Sequence, residues 1–393
     1  MKKLLYVFLS LSVLLAGCVP AATAAATVTA PVPTGTPLAS ATPQPPTVTP
    51  SLQPSQTPLY PAEGYGPSGF PLNVDPLTGL QVADPTLLDR RPMLIKIPNI
   101  PRTVRPQWGL SLADIVFEYY SEEGATRLAA LFYGNNADMV GPIRSGRFID
   151  TDLVRGYKAV FAFGSAYVAE MNQYLHSEFA DRLVVPGPNS PIQVYDPNGE
   201  HHFVVSTASL SAYITAKGVE NGRQNLDGMS FNLTAPAGWK PGMQVFVRYS
   251  GVIYNRWDYD ASAGKYLRFS DNADDYNNIN EQYAQLTDRL TNQPIAFDNV
   301  VVLYVAHEVY STDSHGVSIY DIQFSGSGDG YAFRDGQAYQ VKWQRNATDV
   351  VSLTNLDGTP FSFKPGNTWF EVVGVSSTVQ QTNQSWRFIH QMP

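Results

Sequence analysis

Cysteine is nearly absent from this chain of 393 residues, with Cys18 standing alone. A single thiol excludes an intramolecular disulfide framework and any Cys-rich metal site. Charge is also sparse, at 15% of residues, and 26 basic against 34 acidic side chains leave a net charge of −8. No overall basic field exists to attract nucleic acid. No apolar run reaches the roughly 20 residues of a bilayer-spanning helix, which excludes a channel built of such helices. What is abundant is apolar and aromatic material: 44% hydrophobic and 12% aromatic residues, including 22 tyrosines. That is enough to fill a sizeable core and too apolar for a disordered chain.

The N-terminus reads as a leader. Lys2 and Lys3 precede an apolar stretch, Leu4 to Leu15, of signal-peptide rather than membrane-span length. Leu15-Ala16-Gly17-Cys18 follows directly and has the form of a lipobox, so residues 1–17 are expected to be removed and Cys18 to be lipidated as the mature N-terminus. Acylation by more than one chain gives stable attachment to a membrane. Loss of Lys2 and Lys3 with the leader takes the formal charge from −8 to −10. Residues 18–69 form a linker rich in Pro, Thr, Ala and Ser, without a charge from Val19 to Ala62. Its prolines favour extended polyproline II, in which about 45 residues reach on the order of 140 Å.

Folded sequence begins near Phe70 and divides into an N-terminal α/β domain, 70–228, and a mostly β C-terminal domain, 229–393, an α+β architecture. Met93 to Ile97, Ala113 to Tyr120, Thr126 to Tyr133 and Ala159 to Phe163 read as strands. Helical spacing runs from Tyr167 to Leu183, and again from Ser206 to Lys217, where Ser206 is the N-cap and Gly218 the stop. Phe148 to Arg155 reads as a short helix. The second half predicts strands at Val245 to Tyr249, Val252 to Tyr259, Tyr266 to Phe269, Val300 to Val305, Ile319 to Phe324 and Trp369 to Val373. Asp335-Gly336 predicts a type I′ hairpin, and Asp357-Gly358 repeats the dipeptide. Asn272 to Gln293 reads as a polar insertion holding one short helix at best.

Several segments together carry a likeness: Asp75-Pro-Leu-Thr-Gly-Leu80, Arg91-Pro92 leading to Asn99, Arg105-Pro-Gln-Trp-Gly-Leu110, Ala113-Asp114-Ile-Val-Phe-Glu118, Glu122-Glu-Gly-Ala-Thr-Arg127, Gly141-Pro-Ile-Arg144-Ser-Gly-Arg147 and Pro365-Gly-Asn-Thr-Trp369. In this order they resemble the YerB-like lipoproteins, a bacterial family built on a domain of unknown function, over most of the ectodomain. The chain departs from that pattern at Pro98, Trp108 and Glu123, the last in place of a common glycine. The resemblance implies a two-domain cell-envelope lipoprotein working beside peptidoglycan synthesis and assigns no reaction.

Read by their own chemistry, the charged motifs admit two uses. Arg144, Ser145 and Arg147 lie at a helix start, where free backbone N–H groups and forked guanidinium donors suit a carboxylate or phosphate. Arg105, Arg127 and Asn99 can join them in an anion or ligand site. Alternatively these arginines pair internally with Asp114, Glu118 and Glu122. Those carboxylates recur at even spacing and so share one strand face, an arrangement open to acid–base work on a glycosidic bond if two of them flank it. His307, Glu308, Asp313 and His315 match no zinc template, so no metal is expected. Ser165 lacks the second glycine of a nucleophile elbow, and no cofactor loop is present. The tyrosines and tryptophans offer flat faces to sugars or protein partners, or simply fill strands.

The sequence therefore predicts a lipid-anchored, extracytoplasmic protein that binds or scaffolds near peptidoglycan or a penicillin-binding protein, with a carboxylate-dependent glycan hydrolase as the alternative. Labelled fatty acid incorporated into the wild-type chain should be lost completely in Cys18→Ala; label that persists would remove the lipidation reading.

Overall fold

A few apolar strands, buried on both faces, anchor two stacked sheets. In the computed structural model, which describes residues 60–196 and 202–392, β1 (Met93–Pro98), β2 (Ile115–Tyr120) and β3 (Thr126–Phe132) are almost wholly buried. They form the middle of an 11-stranded sheet with β4 (Val160–Ala162) and β5 (Leu183–Val184) at one side. On the other side stand Thr368–Gly374, Asn299–Val305, Gly326–Arg334, Gln337–Arg345 and Ser352–Thr354, with Lys240–Pro241 pairing Gln337–Arg345 as the eleventh strand. β2 runs parallel to Thr368–Gly374, so strands from the two ends of the folded sequence are neighbours at the sheet's centre.

Because side chains alternate across a strand, this sheet has two apolar faces. Leu94, Phe117 and Leu131 meet α1 (Phe148–Tyr157) and α2 (Val168–Leu175) through Leu153 and Tyr174. Ile95, Val116, Ala130 and Trp369 face the other way and pack with Trp257, Tyr266 and Phe388 of a second, 7-stranded sheet. That sheet orders Tyr283–Gln285, Lys265–Asp271, Tyr254–Asp260, Gln244–Arg248, Ser385–Ile389 and Thr378–Thr382, with Ala296–Phe297 pairing Lys265–Asp271 as the seventh strand. α3 (Thr207–Ala216) adds Leu210 and Ile214 to the same core, with Ser206 capping it by accepting from the Ser209 N–H. The fold is α+β, with a mostly β second half.

Several local expectations change. Helical period continues past Leu175 in the sequence, yet α2 stops there and Ala180–Arg182 forms a separate 3-10 turn. The Ser177 hydroxyl donates to the Tyr174 carbonyl at 2.6 Å, a local bond that competes with helix continuation. Asn272 to Gln293 contains no helix; its middle becomes the strand Tyr283–Gln285, and Arg248 takes Asp275 and Glu281 into ion pairs. Asp335 and Gly336 both have positive φ, 55° and 70°, as a type I′ turn requires. At Asp357-Gly358 only Gly358 does, at 86°, and the loop closes with Asn355 N–H on the Thr359 carbonyl.

The chain enters the folded body along a strap. Tyr65 and Phe231 exchange both backbone hydrogen bonds, at 2.9 and 2.8 Å. Gly64 lies so close that a Cβ would sit 2.0 Å from the Phe231 carbonyl oxygen. The leader, Cys18 and the linker up to residue 59 lie outside the described residues.

His307 and His390 are buried side by side, their ring centroids 5.1 Å apart. His307 Nδ1 bonds the Val305 carbonyl at 2.9 Å, and His390 Nδ1 accepts the Gly374 N–H at 3.0 Å. Burial lowers the His307 pKa to about 4, and that of His390 to about 3 with help from His307. A depressed histidine pKa leaves the unfolded state binding the extra proton, so stability falls as pH drops from about 6.5 towards 4. His307→Asn, which retains a donor for Val305, should flatten that decline by about 3 kcal/mol relative to wild type over this window, read from urea unfolding midpoints. An unchanged slope would show that His307 is not the responsible group.

Candidate functional site

The hairpin joining β2 and β3 organises the first cluster of charged residues. Its turn places Glu123 and Gly124 at positive φ, 50° and 77°, and a glutamate occupies the first of these at a conformational cost that glycine avoids. β2 ends at Tyr120, so Glu122 belongs to the turn and is freed from the strand's alternation. It receives Arg147 through Nε at 2.8 Å and through Nη2, and Arg127 through Nη2 at 3.1 Å. Burial pushes the Glu122 carboxyl up, but the two guanidiniums outweigh it and hold the pKa below the ordinary glutamate value. Beneath this pair, Lys96 donates to the Tyr119 hydroxyl, which donates to Asp150, all three fully buried. Asp150 also accepts the Arg147 backbone N–H at 2.7 Å at the start of α1. Arg144 is exposed, and Ser145 bonds Ser165, hydroxyl to hydroxyl, at 2.8 Å.

Glu118 takes no part in that cluster. It points to the opposite face of β2, between the two sheets, directly beside Glu371 on the parallel strand. Arg268, from Lys265–Asp271, reaches Glu118 at 2.6 Å and Glu371 at 3.1 Å, with every member at most 1% exposed. Asn99 at 2.9 Å and the Thr126 hydroxyl at 2.8 Å also donate to Glu118. Trp257 at 2.9 Å, Asn255 at 3.2 Å and Tyr249 at 3.1 Å donate to Glu371. The guanidinium lies 4.3 Å from the Trp369 ring centroid, a cation–π contact. Burial and the adjacent Glu118 raise the Glu371 pKa to about 7.

Asp114 stands before β2 and Glu122 in the turn beyond its end, so the two lie at opposite ends of the strand. Asp114 accepts the backbone N–H groups of Tyr133 and Gly134. Burial raises its pKa to about 6, and burial together with the neighbouring Asp114 pushes the Asp75 carboxyl up as well. Arg105 forms a bidentate pair with Asp271 in the second sheet, where Arg102 joins it. Thus Arg127, Arg147 and Glu122 come together; Asn99 and Glu118 join a second network, and Asp114 and Arg105 lie in two others. Of the residues weighed for a metal, His307 is buried, while Glu308 is exposed and His315 pairs with Asp313 in an exposed turn at 3.7 Å. Among the described residues no group of three or more His, Cys, Asp or Glu is arranged to hold a metal.

Arg268, Glu371 and Lys96 escaped the sequence reading as polar centres. For Lys96 and Glu371 the signal is present nonetheless: each is a lone charge among apolar strand neighbours, Leu94-Ile-Lys-Ile97 and Trp369-Phe-Glu-Val372, whereas the strand of Arg268 also carries Lys265 and Asp271. A fully buried charge requires a partner.

Of the nominated residues, Arg105 borders a hollow of about 220 Å³, and Asp114 with Asp75 borders one of about 370 Å³. Two adjoining hollows of about 740 and 510 Å³ share Tyr331, Gln340 and Val379 where the outer strands of the two sheets diverge.

Residues 77–220 match the N-terminal domain, and 245–370 the C-terminal domain, of DUF3048, each described as a protein of unknown function. The chain belongs to this family. It is similar to "Putative lipoprotein YerB" of Bacillus subtilis (strain 168), 27% identical over 303 residues that cover 76% of this chain and 85% of the relative. The crystal structure of the YerB protein from Bacillus subtilis matches with a TM-score of 0.63 at 26% identity, covering 76% of this chain and 96% of that one.

Removing the shared cation should expose the repulsion it suppresses. Arg268→Ala leaves two adjacent buried carboxylates, and unfolding at pH 7 should be easier by about 3–5 kcal/mol. A change below about 1 kcal/mol in a denaturant titration would mean that the network relaxes without it.

Proposed function

We propose that this is an extracytoplasmic lipoprotein whose folded body binds or scaffolds near peptidoglycan or its synthases and does not cleave glycan itself. One observation carries the non-catalytic part: the carboxylates nominated for acid–base work face different compartments. Glu118 is sealed between the sheets on Arg268 and Glu122 is held by two arginines beside α1, while Asp114 is bonded to backbone N–H groups at the other end of β2. A retaining or inverting glycosidase needs two carboxyl groups about 5 to 9.5 Å apart on either side of an accessible bond. The network reading of Arg127 and Arg147 is preferred over an anion site, since Glu122 already takes two donors of Arg147 and one of Arg127.

The envelope location rests on the lipobox around Cys18, the uncharged linker and the name borne by the Bacillus relative. A long tether lets a folded body reach a wall polymer or an anchored synthase while staying attached. Full-length protein in detergent should co-sediment with purified peptidoglycan sacculi, or retain a penicillin-binding protein, and release no soluble muropeptide. Muropeptide release that disappears in Glu122→Gln or Glu118→Gln would replace binding with hydrolysis. Failure to retain either sacculi or synthase would end the wall-associated reading.

A further inference from the structure

The hollow between the diverging sheets has the chemistry of a glycan cleft. Its floor is aromatic. Tyr331 and Tyr304 are each partly exposed, with ring centroids 6.3 Å apart, and Tyr331 leans on Trp386 at 5.2 Å. The indole N–H groups beneath are already used: Trp386 donates to the Pro241 carbonyl at 2.8 Å and Trp343 to that of Tyr304 at 2.9 Å. These rings are therefore fixed in place while the tyrosines remain partly open to a ligand.

The rim is built mainly from amides and hydroxyls. Gln340 is exposed between the two hollows, and exposed Gln381 stands across from it on Thr378–Thr382, the edge strand of the second sheet. Ser325 and Ser327 continue the rim into the smaller hollow. Charge along the lining is small and mixed, with Lys240 and Asp357 at one end and Asp329 at the other. Asp329 is itself paired with Lys342 at 2.8 Å.

Half-open aromatic faces suit the apolar faces of pyranose rings, and side-chain amides can both donate to and accept from hydroxyl and acetamido groups. The joined length of the two hollows suits an extended chain of several sugars rather than one compact metabolite. A strongly anionic polymer would find one lysine against two aspartates, and a nucleotide would find no phosphate cradle.

We infer that this cleft is a binding site for an uncharged, N-acetylated glycan strand, gripped by Tyr331 and Tyr304 from below and by Gln340 and Gln381 from the rim. The inference names the ligand class of the binding function proposed above and rests on that reading. The probe is N-acetylglucosamine hexamer, titrated into the full-length protein in detergent and followed by tryptophan fluorescence, because Trp386 and Trp343 line the cleft.

Saturable binding is expected, weakened at least tenfold in Gln340→Ala and in Tyr331→Ala and unchanged in Arg144→Ala. Gln340 is exposed, so its variant tests the site even if Tyr331→Ala unfolds. No saturation at millimolar sugar, or equal affinity in Gln340→Ala, overturns the cleft. A proline- and threonine-rich peptide saturating the same signal while the sugar does not would overturn it in favour of a peptide groove. Sacculus co-sedimentation unaffected by Gln340→Ala and Gln381→Ala would leave the wall-associated function standing and remove only this site; loss of co-sedimentation in the unmodified protein would remove the function itself.

Discussion

One guanidinium holds the two sheets in register. Glu118 and Glu371 sit side by side on parallel strands, an arrangement that like charges in a low dielectric oppose strongly. Arg268 from the facing sheet makes it tolerable by bonding both, and it can do so only when the sheets stack at one offset. A sliding sheet would strand two carboxylates and a cation at once. Apolar packing between these layers supplies most of the attraction but little directional information, since hydrophobic burial is non-directional. The network supplies the direction, and its neighbours follow: Asn99 and Thr126 bring in the ends of β1 and β3, while Trp257, Asn255 and Tyr249 bring in the second sheet.

The two faces of the central sheet divide the polar chemistry in the same way. On the helix side the Lys96, Tyr119 and Asp150 chain ties β1 and β2 to the first turn of α1, and Glu122 ties Arg127 and Arg147 above it. Across the strands lies the Arg268 network. Neither borders the cleft where the sheets diverge, which draws on a third set of residues, uncharged for the most part.

Much of this architecture is legible in the sequence. Strands such as Ile115–Tyr120 and Thr368–Gly374 announce themselves by branched and aromatic content, α3 by Ser206, and the sharpest hairpin by Asp335-Gly336. Local rules fail where a long-range partner decides. The even spacing of Asp114, Glu118 and Glu122 suggests one face, but alternation lapses when β2 ends at Tyr120, and Arg147 then captures Glu122. Arg268 and Glu371 lie more than a hundred residues apart in sequence, at |i−j| = 103, so no window reveals that they meet. The cleft is less visible still, because Gln340, Gln381 and Tyr331 carry no spacing of their own; only the divergence of two sheets assembles them.

The strap at Tyr65 has a mechanical meaning. A pull on the chain ahead of Tyr60 would reach the folded body through Tyr60 to Gly79, where the Asn232 amide on the Ala62 carbonyl, the tight seat of Gly64 and the Tyr65–Phe231 bridge come first. Behind them, Ser230–Phe231 is paired with Ser362–Phe363, which leads towards Thr368–Gly374 at the middle of the large sheet. Load entering there meets a short outer fastening before the long ladders and the buried ion network. Peeling of the stretch before Phe70 would leave Leu77 seated in the core and both sheets with all their strands.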